Sequence, residues 1–275
     1  MIIKLFFLFI QITINTGTFS TFNKINKNIM KKFLFKKKYF KPLIDTTKNV
    51  ITISPAGYRG FYEFGVCKYI KENYNLDNYI FSGASAGAWN SLLLCYKGDL
   101  KEMEKIIFDD TVYNTKTLLE LENSVKNKIL SEFKTDDFDL NKLYIGVTSL
   151  NDCKVNTIIY NDFLTLEDAI NCCVASSHIP FITGGYKNIY KNALSFDGGF
   201  SIDPYVDTKN LIFQITPNLW NTKPIQKNPF YFFNISDYTT IFSREHFDFN
   251  IMIEDGYKDS EKNKEYLDGV FRYDI

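Results

Sequence analysis

An α/β fold on a mostly parallel sheet is the architecture this sequence predicts. Short apolar runs of strand length alternate with helix-length amphipathic stretches from Val50 to Pro217. No repeat, low-complexity segment or linker interrupts that span, so it reads as one domain. Glycine-bearing turns follow three of the predicted strands, at Pro55 to Gly60, Gly83 to Gly87 and Asp197 to Gly199. Ligands on open α/β sheets bind outside the carboxyl ends of the strands, so these turns are expected to gather at one end of the sheet.

The elements follow from pattern. Val50-Ile51-Thr52-Ile53-Ser54 is a continuous run suited to a buried strand. After the Pro55 to Gly60 turn, a helix from about Phe61 to Asn73 sets Tyr62, Val66, Tyr69 and Ile70 on one face. A strand over Asn78 to Ser82 runs into Gly83-Ala84-Ser85-Ala86-Gly87, and a helix-compatible stretch opens at Ala88. Amphipathic helices follow at Leu100 to Phe108 and Thr117 to Phe133, the second burying Leu118, Leu121, Val125, Ile129 and Phe133. Leu143 to Thr148 and Val155 to Tyr160 read as strands joined by a hairpin-like region at Asn151-Asp152. Thr165-Leu166-Glu167-Asp168 is a helix-start signature, and Pro180 closes that helix. Ala193 to Phe196 and Leu211 to Ile215 complete the strands. Beyond Trp220 the chain is rich in aromatics, and residues 218–275 are expected to pack on the 50–217 domain as an extension.

Composition narrows the function classes. A formal net charge of zero gives no electrostatic case for nucleic acid. Charge is uneven, though: Lys24 to Lys41 holds eight lysines and no acid. Ahead of it lies the apolar run Met1 to Ile10, short of the ~20 apolar residues a membrane span needs. Residues 1–49 are therefore read as a signal-peptide core or anchor near residues 1–20, or a poorly ordered tail, followed by a basic stretch suited to an anionic membrane surface. Met30 is a conceivable internal start, which leaves localisation open. The five cysteines show no Cys-x-x-Cys and are expected to be buried hydrophobes. Asp109-Asp110 and Asp136-Asp137 read as solvated loop or helix-end charges, and neither a metal site nor a cofactor is indicated. Oligomeric state is not indicated either.

Chemistry concentrates at Ser85. A Gly-x-Ser-x-Gly turn between strand and helix holds its serine in a strained backbone position with the hydroxyl exposed. A helix N-terminus then favours the negative charge of acyl transfer. Such a nucleophile needs a base. Asp197 follows a strand and precedes Gly198 and Gly199; by itself, an Asp-Gly turn is more simply structural. Two histidines compete with it. His178 reads as a helix-end or core residue, whereas His246 would complete a Ser85, Asp197, His246 chain order that suits a hydrolase triad.

Three segments together resemble the patatin-like phospholipases: Ser54-Pro55-Ala56-Gly57-Tyr58-Arg59-Gly60, Gly83-Ala84-Ser85-Ala86-Gly87 and Phe196-Asp197-Gly198-Gly199. Val174-Ala175-Ser176-Ser177-His178-Ile179-Pro180-Phe181 is similar to a further segment of that family, and Asp203-Pro204 falls where it often has Asn-Pro. The likeness spans about Val50 to Pro217. It implies a three-layer fold with helices on both faces of the sheet. It also implies a lipid acyl hydrolase with Ser85 as nucleophile and Asp197 as sole base, and no histidine. Amides of Ala56, Gly57 and Tyr58 would form the oxyanion hole, and Arg59, Gly60, Gly83, Gly87, Gly198 and Gly199 would be motif residues. The substrate would be a fatty acyl ester met at a lipid surface. One departure bears on rate. Pro55-Ala56-Gly57 stands where the family usually has three glycines, and proline has no N–H to donate. A lost oxyanion donor costs about 3 kcal/mol, and a catalytically weak lipid-binding relative is the competing reading.

Overall fold

A computed structural model describes residues 47–151, 154–220, 244 and 247–271, the side chains of Asn151 and Lys154 excepted. The chain divides into residues 1–38 and 39–275, and every described residue lies in the second unit. The apolar N-terminus, the basic stretch, Cys153 and His246 lie outside the described residues.

The strands are β1 (Asn49–Ile53), β2 (Tyr79–Gly83), β3 (Leu143–Asn151), β4 (Lys154–Tyr160), β5 (Ile189–Tyr190), β6 (Ala193–Phe196) and β7 (Leu211–Ile215). The helices are α1 (Gly60–Asn73), α2 (Ala86–Leu94), α3 (Leu100–Ile107), α4 (Asp110–Tyr113), α5 (Leu118–Glu132), α6 (Leu166–Ser176), α7 (Phe249–Lys262) and α8 (Lys264–Phe271). They flank one sheet of order β5-β6-β3-β2-β1-β7, with β4 on the far edge of β3. β7, β1, β2 and the start of β3 run parallel. β2 is buried at every residue, as a strand covered on both faces must be. The other pairings are antiparallel, so the sheet is mixed. β3 and β4 are a hairpin with Asn151 opposite Lys154, and so short a connection admits no parallel return.

Along one edge, β3 has two successive neighbours. Leu143 to Ile145 pair with Phe81 to Gly83 of β2. Farther on, Thr148 to Leu150 pair with Phe196 to Leu194 of β6, while β4 occupies the opposite edge. β2 and β6 therefore point at each other head-on. Their carboxyl ends are three residue steps apart along β3, roughly 10 Å at ~3.3 Å per step. Ser85 leaves one strand end and Asp197 the other, so the sheet topology delivers both to one place.

Among the described residues, many aromatic side chains pack in the core. Phe249 of α7 stacks on Phe61 at 3.9 Å between ring centroids, and Tyr58 packs against Phe247 and Phe249. α7 lies close on α1 because both present a glycine at the crossing. A Cβ at Gly65 would sit 2.1 Å from the Ile253 carbonyl oxygen, and one at Gly256 would sit 2.1 Å from that of Tyr62. Cys67, Cys95, Cys172 and Cys173 are free and buried, as expected of small hydrophobes. The Asp109-Asp110 pair, expected as loop or helix-end charge, caps a helical turn: the Asp109 carboxylate accepts from Thr111 N and Val112 N at the start of α4. Among the described residues no helix is long and apolar enough to cross a membrane.

Candidate active site

Ser85 is the junction of β2 and α2, with φ 54° and ψ −126°. A non-glycine residue in such a conformation stores about 1–3 kcal/mol of strain. The surroundings hold it there. A Cβ at Gly83 would stand 2.0 Å from the Gly87 carbonyl oxygen, and one at Gly87 would stand 2.1 Å from that of Ile53. Ser85 N–H donates to Ser176 Oγ at 2.8 Å, and Ser176 Oγ donates onward to the Gly146 carbonyl of β3 at 2.7 Å. The elbow is thus tied to the gap between β2 and β6. Ser85 occupies the N-cap position of α2 but makes no capping bond with its side chain.

Its hydroxyl is used elsewhere. Ser85 Oγ donates to Asp197 Oδ2 at 2.6 Å, and Gly199 N–H donates to Asp197 Oδ1 at 2.6 Å. Asp197 N–H donates to the His178 carbonyl at 2.8 Å, which fixes the turn that follows β6. Both side chains are buried, Ser85 at 7% exposure and Asp197 at 5%. Burial pushes the Asp197 carboxyl up from 3.8 to about 6, against the lowering effect of its bonds from Ser85 and Gly199. It is mostly ionised at pH 7, yet far more basic than a solvated aspartate.

A cleft of about 110 Å³ opens beside this pair, walled by Phe61, Phe64, Leu93, Phe108, Leu121 and Val125. That is less than the ~150 Å³ of a cavity that admits benzene.

Two residues of the Pro55 to Gly60 turn border the cleft. Gly57, at φ 55°, and Gly60 line it, whereas Ala56 and Tyr58 do not. Tyr58 is fully buried among the α7 aromatics. Ala86, the residue after Ser85, lines the cleft at the first position of α2, where an N–H has no partner within the helix. Pro55 instead packs on the Asp197 turn, 3.1 Å from where a Gly199 Cβ would lie. Gly198 packs between Ala84 and Gly146, where a Cβ would lie 2.4 Å from the Gly146 carbonyl oxygen. Arg59 faces a separate depression with Tyr62, Asp248 and Asp255, and its Nη1 donates to Asn218 Oδ1 at 3.4 Å.

His178 is buried at 3% exposure, and its Nε2 has no partner among the described residues. Burial lowers its pKa, so the ring is neutral and bonds to neither Ser85 nor Asp197 among the contacts described. Sequence reasoning missed Ala86, Ser176 as the anchor of the elbow, and Glu122, which lines the cleft from α5. The Ala-Ser pair before His178 was the one signal for Ser176.

A family model described as patatin-like phospholipase matches residues 51–207, more than half of the chain. Among solved structures, VipD from Legionella pneumophila is similar at 13% identity and a TM-score of 0.37, over 61% of this chain and 49% of its own. The ExoU–SpcU complex of Pseudomonas aeruginosa is similar at 13% identity and a TM-score of 0.39, over 82% of this chain and 52% of the other. The chain thus spans about half the length of each. No curated protein matches. By the family match over the region that builds most of the sheet, the elbow and the Asp197 turn, the chain belongs to the patatin-like phospholipase family.

Proposed function

We propose that this protein hydrolyses fatty acyl esters of lipids through a Ser85–Asp197 dyad. The observation that carries the reading is the 2.6 Å bond from a hydroxyl on a strained elbow to a buried carboxylate at the wall of an apolar cleft. Ser85 Oγ attacks the acyl carbonyl while its proton passes to Asp197. The N–H groups of Gly57 and Ala86 are the donors nearest to hand for the oxyanion, and the start of α2 adds its dipole. Collapse expels the alcohol, which takes the proton back from Asp197. Water then attacks the acyl-serine, giving up a proton to Asp197, and the fatty acid leaves as Ser85 Oγ regains it.

The chemistry asks a carboxylate to do work often given to imidazole. Its raised pKa, with cause in burial, supports that role, because a base titrating near 6 accepts a proton far more readily than one near 4. The basic, aromatic-bearing stretch from Lys24 to Lys41 supports action at an anionic lipid surface.

Release of fatty acid from mixed lipid vesicles tests the reading across wild type, Ser85→Ala, Asp197→Asn and His246→Ala. The dyad predicts loss in the first two variants and retention in the third. A folded His246→Ala protein without activity favours a triad instead. Vesicle binding without hydrolysis by wild type favours a lipid-binding module.

A further inference from the structure

The polar side chains lining the cleft are almost all occupied. Asn90 Nδ2 donates to the Gly60 carbonyl at 2.9 Å. Ser177 Oγ donates to the Cys173 carbonyl and accepts from Trp89 Nε1, each at 2.9 Å. Thr183 Oγ1 donates to the Ser177 carbonyl at 2.9 Å and accepts from Ile179 N–H at 2.8 Å. Ser85 and Asp197 hold each other.

Glu122 is the exception. It lines the cleft from α5, is only 9% exposed, and has no hydrogen-bond or ion-pair partner among the described residues. Lys126, one turn along, is bonded to Asn171 Oδ1 at 3.0 Å. Leu118, Leu121, Glu122 and Val125 share one helical face toward the cleft, so packing alone would call for a fourth apolar residue. A buried polar group without a partner asks for a ligand or a functional reason.

Burial first, then the charge of Asp197, raise the Glu122 carboxyl from 4.5 to about 8, against the opposing effect of Lys126. A carboxyl raised in this way favours its protonated form, which can both donate and accept. Glu122 and Asp197 line the same cleft. An acyl chain offers no polar atom beyond its carbonyl, so any polar match for Glu122 lies on the alcohol half of the ester.

We propose that Glu122 is a substrate-binding residue whose carboxyl hydrogen-bonds a free hydroxyl on the alcohol half, so that the cleft selects acyl esters of polyols over esters of simple alcohols. The inference rests on the dyad reading and adds a substrate class to it.

The test compares kcat/KM at pH 7 for monooctanoylglycerol and for propyl octanoate, which has the same acyl chain and no free hydroxyl. Wild type is expected to prefer the glycerol ester by roughly three- to tenfold, the range of one net hydrogen bond. Glu122→Gln, which keeps a donor and an acceptor, retains most of that preference. Glu122→Leu brings the ratio close to one, mainly by loss on the glycerol ester, and Glu122→Met provides a second apolar variant. A merely structural role lowers both rates together and leaves the ratio standing, and that result in both apolar variants overturns the proposal. Wild type that cleaves both esters without preference overturns it too, and leaves the dyad intact. Wild type that cleaves neither ester overturns the dyad reading, and this inference falls with it.

Discussion

Replacing Asp197 with asparagine is expected to stabilise the protein at neutral pH while removing its activity. The carboxylate is buried, and its pKa stands near 6 where the unperturbed group has 3.8. The native state therefore binds this proton more tightly than the unfolded chain does. Between about pH 4 and pH 6 native protein carries the greater share of bound proton, so stability falls as pH rises through that window. Above it the penalty is complete. A shift of roughly two units, at about 1.4 kcal/mol each, amounts to about 3 kcal/mol. Asparagine has no charge to bury, and its amide can still accept from Gly199 N–H and donate to Ser85 Oγ. Urea unfolding of wild type and Asp197→Asn at pH 3.5 and pH 7.5 measures the effect. The variant should gain up to ~3 kcal/mol at pH 7.5 and far less at pH 3.5, where the wild-type carboxyl is largely protonated in both states. A variant no more stable than wild type at pH 7.5, or one whose gain is equal at the two pH values, would refute the argument that burial sets the basicity of Asp197.

The same carboxyl sets a pH limb: kcat/KM should rise about tenfold per unit below pH 6 and level off above it, and a profile still flat down to pH 4.5 would contradict this. Ser176→Ala removes the hydroxyl that serves both Ser85 N–H and the Gly146 carbonyl, so a loss of about 2–3 kcal/mol in urea unfolding is expected; no change would mean that the bridge does not hold the elbow. Gly83→Ala and Gly87→Ala each drive a Cβ into backbone oxygen, and destabilisation of about 3 kcal/mol or more is expected of each; tolerance of either by the same measurement would show the elbow to be looser than described.

The parallel half of the fold was legible because its strands are continuous apolar runs. Val50 to Ser54 and Asn78 to Ser82 lie within one residue of β1 and β2. The two-residue β5 and the four-residue α4 were not legible, since neither is long enough to show a period. Ser85 and Asp197 stood out only as a pair of motifs 112 residues apart. Pattern alone could not say that they meet, because the contact depends on β2 and β6 sharing an edge of β3. The burial of the Tyr58 ring against Phe247 and Phe249 was equally out of reach of pattern, because that contact is tertiary. Glu122 was hidden in plain pattern, one polar position beside the buried stripe of α5, where a solvent-facing glutamate is the ordinary case.

Covalent trapping of the nucleophile tests the central claim most directly. An alkyl fluorophosphonate is added to the full chain, and intact and peptide mass spectrometry locate the adduct and its rate. The account predicts a single adduct on Ser85, slowed at least about a hundredfold in Asp197→Asn and formed at the wild-type rate in His246→Ala. An adduct on another residue, or labelling of Ser85 that survives loss of Asp197 and fails without His246, would contradict it.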